Sequence, residues 1–132
     1  MTSKQRHTII IGAGPAGLIA AISAAASGDR VTVYEQLSRP GAKLLASGGG
    51  KCNLTNILAV PVFAEHFGRQ GRFALTALEA FPPEKLREFF AVRGVPTLVQ
   101  DGFHVFPESN RAVDVLNALL TECSRLKVEI IC

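Results

Sequence analysis

The stretch Ile9-Ile10-Ile11-Gly12-Ala13-Gly14-Pro15-Ala16-Gly17 decides the fold. An apolar strand runs into a glycine turn, and the turn opens a helix. Gly12 permits the tight exit from the strand. Gly14 keeps side chains away from a closely approaching pyrophosphate, and Gly17 lets the helix lie against the strand. Pro15 suits the first helical position, where its missing N–H costs little. A dinucleotide's pyrophosphate belongs on the turn from Gly12 through Ala13 and Ala16 to Gly17. Free N–H groups and the helix dipole favour negative charge there.

The flanks complete the unit. Thr8 to Ile11 is β-branched and apolar, as a buried parallel strand should be. Leu18 to Ser27 is alanine-rich and helical, with Gly28 placed to end it. Val31 to Tyr34 is the second strand, and it leads into Glu35 and Gln36. Glu35 follows Gly17 at about the distance expected of an acid that binds a ribose hydroxyl. A lone glycine motif is weak evidence; the complete strand–helix–strand context makes this one a dinucleotide fingerprint.

The chain of 132 residues fits one domain, and 48% hydrophobic residues can build a core. Charged residues are 19%, below the usual ~25%, which suggests that part of the surface is normally covered. The net charge of +3 comes without a Lys/Arg run. An ordinary solvated surface with a phosphate ligand explains it better than nucleic-acid binding. Met1 to His7 is polar and unlike a signal peptide, and no apolar stretch approaches the ~18 residues of a membrane span. Cys52, Cys123 and Cys132 form no C-x-x-C pair. They point to a reducing, cytoplasmic setting rather than to disulfides or zinc. His7, His66 and His104 lack metal-ligand spacing.

After Glu35 the periodicity stops. Gln36 to Asn56 is long for a connection within a compact domain, and such segments are usually functional or disordered. A helical turn is expected at Ala42 to Ala46. Ser47-Gly48-Gly49-Gly50 offers backbone N–H groups free of Cβ obstruction, a cradle for an anion or the polar edge of a ring. Lys43 and Lys51 bracket it, and Asn53, Thr55 and Asn56 add neutral donors and acceptors. Cys52 reads as a buried structural residue rather than a redox thiol. Further helices are predicted over Pro61 to Phe67, Arg72 to Ala80 and Pro83 to Arg93. Strands Thr97 to Gln100 and Phe103 to Phe106 flank the hairpin signal Asp101-Gly102. Asp101 and Glu108 read as turn-shaping residues. Asn110 is expected to cap a helix over Arg111 to Leu126. Val128 to Ile131 reads as a buried-type strand whose unpaired edge invites self-association. The end on Ile131-Cys132 reads as a shortened chain, since a doubly wound sheet needs further strands.

Taken together, Ile-Gly-Ala-Gly-Pro-Ala-Gly-Leu from Ile11, Glu35, and the run from Pro40 to Asn56 resemble the BaiN/aminoacetone-oxidase-like family of flavoproteins. The likeness continues through Gly71-Arg72-Phe73, Asp101-Gly102 and Val105-Phe106-Pro107. Members of that family are about three times longer, so residues 1–132 correspond to their N-terminal part. The resemblance implies an FAD-binding domain of the two-dinucleotide-binding type. The ADP pyrophosphate would lie on Gly12 to Gly17, the adenosine ribose on Glu35, and the rest of FAD along Lys43 and the loop from Ser47 to Asn53. Two departures stand out: the family usually has arginine at Lys51, and often a basic residue at Ala42. Lys51 keeps the charge but loses the bidentate fork.

The expectation is therefore an α/β, Rossmann-like FAD-binding domain: a partial doubly wound parallel sheet with an inserted helical and hairpin region. No nucleophile–base pair and no catalytic side chain is visible. That suits a flavoprotein, where the cofactor carries the redox step. The full-length enzyme would transfer hydride between a small-molecule substrate and the flavin, with NAD(P) or oxygen as its other partner. This chain alone would bind FAD weakly or not at all and turn nothing over. An NAD-dependent dehydrogenase domain and a non-enzymatic nucleotide-binding module remain as alternatives. No nucleic-acid or membrane partner is expected.

Overall fold

The computed structural model describes residues 5–132. Its first layer is a parallel sheet. Strand β1 (His7–Ile11) leads through helix α1 (Pro15–Ala26) to strand β2 (Arg30–Tyr34). Strand β6 (Glu129–Ile131) pairs with the other side of β2, giving the order β1-β2-β6. Helices α1 and α6 (Ala112–Arg125) supply the core. Leu18, Ala21 and Ile22 pack with Val115, Leu119 and Cys123 over Val31 and Val33, all of them buried.

The strands are less buried than their composition implies. Along β1, exposure alternates, and Ile9 and Ile11 are 58% and 81% exposed. β6 likewise leaves Ile131 exposed, so it is an edge strand rather than a buried one. The physical reason is coverage. Parallel strands are apolar on both faces because helices normally flank both, and among the described residues helices cover one. The open face carries a polar strap: His7 Nε2 lies 3.0 Å from Thr32 Oγ1, and Thr32 Oγ1 donates to Glu129 at 3.1 Å.

Between β2 and α6 the chain builds α2 (Ala42–Ala46), a 3-10 turn over Ser47–Gly50, and β3 (Thr55–Asn56). Then come α3 (Val60–Glu65), α4 (Gly71–Ala80), α5 (Pro83–Ala91), β4 (Thr97–Gln100) and β5 (His104–Pro107). Strands β3, β5 and β4 form a second, antiparallel sheet in that order. The hairpin lies where Asp101-Gly102 signals it, with φ of 50° and 72° at those residues. Phe103 joins the turn through its N–H to Gln100 O at 3.0 Å, so β5 starts one residue later than expected. Asp101 fastens the turn by accepting the His104 N–H at 3.1 Å. The two-residue strand β3 is too short to leave a periodic signal.

The expected Asn110 cap is not made. Arg111 is the N-cap residue of α6. Asn110 has φ of 52°, and its Oδ1 accepts Gln100 Nε2 at 2.6 Å. A tertiary hydrogen bond to the hairpin displaces the local one. The buried face of α6 otherwise follows the predicted spacing, with Ala112, Val115, Leu116, Leu119 and Cys123 inside. No described helix is long and apolar enough to cross a membrane.

Glu122 is the one charge buried on that face. It accepts Arg93 at 2.9 Å and Arg125 at 2.8 and 3.0 Å. The Arg93 guanidinium also stacks 3.7 Å over the Phe89 ring. Hydrogen bonds from Arg125 and then Arg93 hold the Glu122 carboxyl at about 2, below its ordinary 4.5. A carboxyl lowered by folding stabilises fully above its unfolded value, and the contribution fades as pH falls through the folded value. Glu122→Gln should therefore lower stability by about 1–2 kcal/mol at pH 7, a discounted figure because Arg125 is largely solvated. Thermal melts should show the gap between variant and parent narrowing from pH 4.5 toward pH 2.

Candidate functional site

The β1–α1 turn has the geometry its glycines promise. Gly12 has φ of 96° and donates its N–H to Tyr34 O at 2.7 Å. Pro15 occupies the first turn of α1, behind an extended Gly14. A Cβ on Gly14 would meet open space, whereas one on Gly17 would run into the Gly12 carbonyl. The first glycine thus faces open space and the second fixes the helix against the strand.

Glu35 sits at the centre of this turn. Its carboxylate accepts the Ala13 N–H at 2.7 Å and the Leu37 N–H at 2.9 Å. Ala13 O in turn accepts the Gly41 N–H at 2.9 Å. One side chain therefore ties the glycine turn, the end of β2 and, through Ala13, the entry to α2. The Leu37 and Ala13 amides hold the carboxyl below its ordinary value, so it is ionised at neutral pH. A carboxylate has about four acceptor sites, which leaves capacity for ribose hydroxyls.

A cavity of about 440 Å³ opens here, lined by Gly12, Gly14, Pro15, Glu35, Gln36 and Lys43. A second, of about 380 Å³, is lined by Pro15, Lys43, Ser47 and Asn53 with an apolar wall from Ile19, Leu44, Cys52, Leu54, Leu86, Phe90, Val115 and Leu119. Pro15 and Lys43 belong to both, so the two adjoin. The first sets Glu35 and Gln36 among Ile11, Tyr34, Leu37 and Ala42. The second has the mostly apolar lining with few polar groups typical of small-molecule sites.

The glycine loop is wound rather than slack. Gly48, Gly49 and Gly50 have φ of 56°, 65° and 87°. Ser47 Oγ donates to Leu44 O at 2.7 Å, and the Cys52 N–H returns to Ser47 O at 3.1 Å. With its amide oriented by its partners, Asn53 donates to Thr55 O at 2.9 Å and Val105 O at 3.2 Å. A Cβ on Gly48 would stand 2.9 Å from Asn53 N and 3.1 Å from a Phe106 ring carbon. Gly48→Ala should open the loop, combining the left-handed penalty of about 1–2 kcal/mol with that collision. A lowered melting midpoint is the expected readout.

Of the residues singled out from sequence, Gly12, Gly14, Pro15, Glu35, Gln36 and Lys43 come together in the first cavity, and Ser47 and Asn53 join Pro15 and Lys43 in the second. Ala13 is buried and acts through its backbone, Ala16 is exposed, and Gly48 to Gly50 and Lys51 line neither cavity. Cys52 is buried, and burial pushes its thiol up, away from thiolate reactivity. The apolar wall escaped sequence reasoning. Leu86 with Phe90, and Val115 with Leu119, are i,i+4 pairs whose pattern reads as ordinary core. Among the described residues no three His, Cys, Asp or Glu side chains gather to hold a metal ion.

Known proteins align with this arrangement. The profile described as HI0933-like protein Rossmann domain matches residues 6–132. The chain is 42% identical over 123 residues to a 3-dehydro-bile acid delta(4,6)-reductase of Clostridium scindens, covering 92% of this chain and 29% of that protein. It is 31% identical over 129 residues to a ribosomal RNA dihydrouridine synthase of Haemophilus influenzae, covering 98% of this chain and 31% of that one. It thus spans less than a third of the curated relatives it matches. The crystal structure of Thermovibrio ammonificans THI4 superposes with a TM-score of 0.58 at 17% identity, covering 96% of this chain and 38% of that one; the likeness is one of fold.

Proposed function

This chain belongs to the HI0933-like protein Rossmann domain family, and from that premise we propose that it is the FAD-binding portion of a flavin-dependent oxidoreductase. The observation that carries the reading is the pair of adjoining cavities, one bearing the Glu35 carboxylate and the other walled by apolar side chains beyond Lys43. Their sequence of chemistry matches a dinucleotide with a ribose at one end and a large planar ring at the other. Glu35 would hold the adenosine ribose, Gly12 and Gly14 would admit the diphosphate, and Ser47 and Asn53 would rim the ring. Leu54, Leu86 and Phe90 would keep water from it. Bound FAD would supply hydride chemistry through its isoalloxazine ring.

An apolar wall this broad suits the dimethylbenzene side of a flavin, and Ser47 and Asn53 would serve its polar edge. The names of the two relatives, a delta(4,6)-reductase and a dihydrouridine synthase, both describe saturation of a carbon–carbon double bond. The full-length reaction we propose is hydride delivery to an activated double bond of a small molecule, with NAD(P)H as the electron source. The setting we propose is cytoplasmic, with no membrane partner and with a small-molecule rather than a nucleic-acid substrate, after the bile-acid reductase at 42% identity rather than the ribosomal RNA dihydrouridine synthase at 31%. Titration of the purified chain with FAD and NAD tests the cofactor. FAD should bind weakly, yet raise the melting midpoint more than NAD does. A larger shift with NAD overturns the assignment in favour of a dehydrogenase domain. The exposed β6 edge should also promote self-association, and light scattering from a clean monomer would count against that.

A further inference from the structure

We propose that the outer face of α4 is a docking surface for a second copy of this chain, the two α4 helices pairing antiparallel about a two-fold axis near Thr76. Phe73 is 88% exposed, more than any other large apolar side chain described. Its helix is nevertheless firmly seated. Gly71 lies so close to the Ala64 carbonyl of α3 that a Cβ would collide with it. Ala74, Leu75 and Leu78 fall on that same face and are partly buried. The opposite face is open. Arg72, Thr76 and Glu79 form one exposed stripe, and Phe73, Ala77 and Ala80 form a second beside it. Each stripe has i, i+4, i+7 spacing.

This face is complementary to itself. In an antiparallel pair centred on Thr76, Arg72 of one copy meets the partner's Glu79, and symmetry makes the contact twice. On the second stripe, the Phe73 ring meets the partner's Ala77 and Ala80, whose small side chains leave room for it. Charge placement favours this orientation. Arg72 stands in the first turn of α4 and Glu79 in the last, with no acid in the first turn and no base in the last. That is the reverse of what the helix's own dipole prefers. The two lie roughly 10 Å apart along the axis, beyond the i,i+4 spacing at which helical side chains pair. Neither belongs to an ion pair among the described residues. An antiparallel copy supplies each end with the charge it lacks. A foreign partner would have to match both stripes, whereas a second copy matches them by symmetry. With 10 residues in α4, the contact is about 15 Å long, a small interface of the weak, reversible kind.

Sedimentation equilibrium of the full chain from about 10 µM to about 1 mM tests the pairing. The parent should show a closed monomer–dimer equilibrium. Phe73→Asp should weaken it about thirtyfold or more, as loss of a central aromatic anchor does. The melting midpoint of that variant, measured at monomeric dilution, should not move. Arg72→Glu and Glu79→Arg should each weaken pairing about tenfold, since two opposed pairs become two like-charged ones. An equimolar mixture of these two variants should recover the dimer, because each chain carries the charges the other needs. Ile131→Lys, which alters the β6 edge, should leave the dimer intact. A dimer indifferent to Phe73→Asp, or a mixture no better paired than its components, overturns the proposal. Association lost in Ile131→Lys alone overturns it in favour of the sheet edge. A parent that stays monomeric throughout also overturns it, and leaves this face to a different protein or to a further segment of a longer chain.

Discussion

Gly17→Val should abolish dinucleotide binding and lower the melting midpoint by roughly 5–15 °C, the range expected when overpacking costs about 1–3 kcal/mol in a domain of this size. The first atom added to Gly17 meets the Gly12 carbonyl, and the Gly12 carbonyl carbon stands only 3.1 Å away. Neither belongs to a side chain that could turn aside. Relief requires α1 to move off β1, and Leu18, Ala21 and Ile22 would leave the core with it. Gly14→Ala is the control. Its Cβ meets nothing and φ there is −77°, so the fold should melt normally. Gly14 lines the first cavity, and on the proposed reading FAD affinity should fall by about tenfold or more, a loss of at least one contact's worth of binding. Calorimetry and thermal melts on the two variants separate the glycine that shapes the protein from the glycine that borders the cavity. Equal melting losses in both would contradict this division.

Glu35→Gln should weaken FAD by one to two powers of ten while leaving the remote hairpin intact. The amide keeps the size of the carboxylate but replaces one acceptor with a donor. It cannot accept both the Ala13 and Leu37 N–H groups while offering lone pairs to a ribose. Ala13 then loses its partner inside the core, and the glycine turn loses its anchor. Amide hydrogen exchange gives a readout independent of ligand: Ala13 and Leu37 should exchange faster in the variant, and the amides of β4 and β5 should not. Unchanged exchange at Ala13 would mean that the 2.7 Å contact does not hold the turn in solution.

Much of this was legible from residues alone, and the limits have physical causes. The β1–α1–β2 unit, α6 and the hairpin were readable because periodicity and turn chemistry are local. The roles of Gly12 and Gly17 follow from geometry that the motif implies. What distance decides was not readable. Asn110 has the chemistry of a cap, but Gln100 lies within reach in space and takes its oxygen. Glu35 looks like a ribose ligand, and nothing in its neighbours announces that it also holds Ala13. The apolar wall of the second cavity is built from helix faces whose pattern is that of any core, so a pocket and a packed interior look alike in sequence. The open face of the parallel sheet was hidden for the converse reason: apolar strands imply cover, and the described residues provide it on one side.

The strap across that sheet bears on how the protein reaches its native state. The Thr32–Glu129 hydrogen bond joins residues 97 positions apart, and the whole second sheet lies within the loop it closes. Closing so long a loop is entropically costly before its contacts form, and such pairings are formed slowly. The β1–α1–β2 unit can collapse early through neighbours in sequence, but β6 can dock only after α6 is in place. Until then β2 presents a bare edge, and the Glu35 N–H, which Ile131 O accepts at 2.8 Å, has no strand to meet, so the anchor of the glycine turn is fixed only when the far end of the chain arrives.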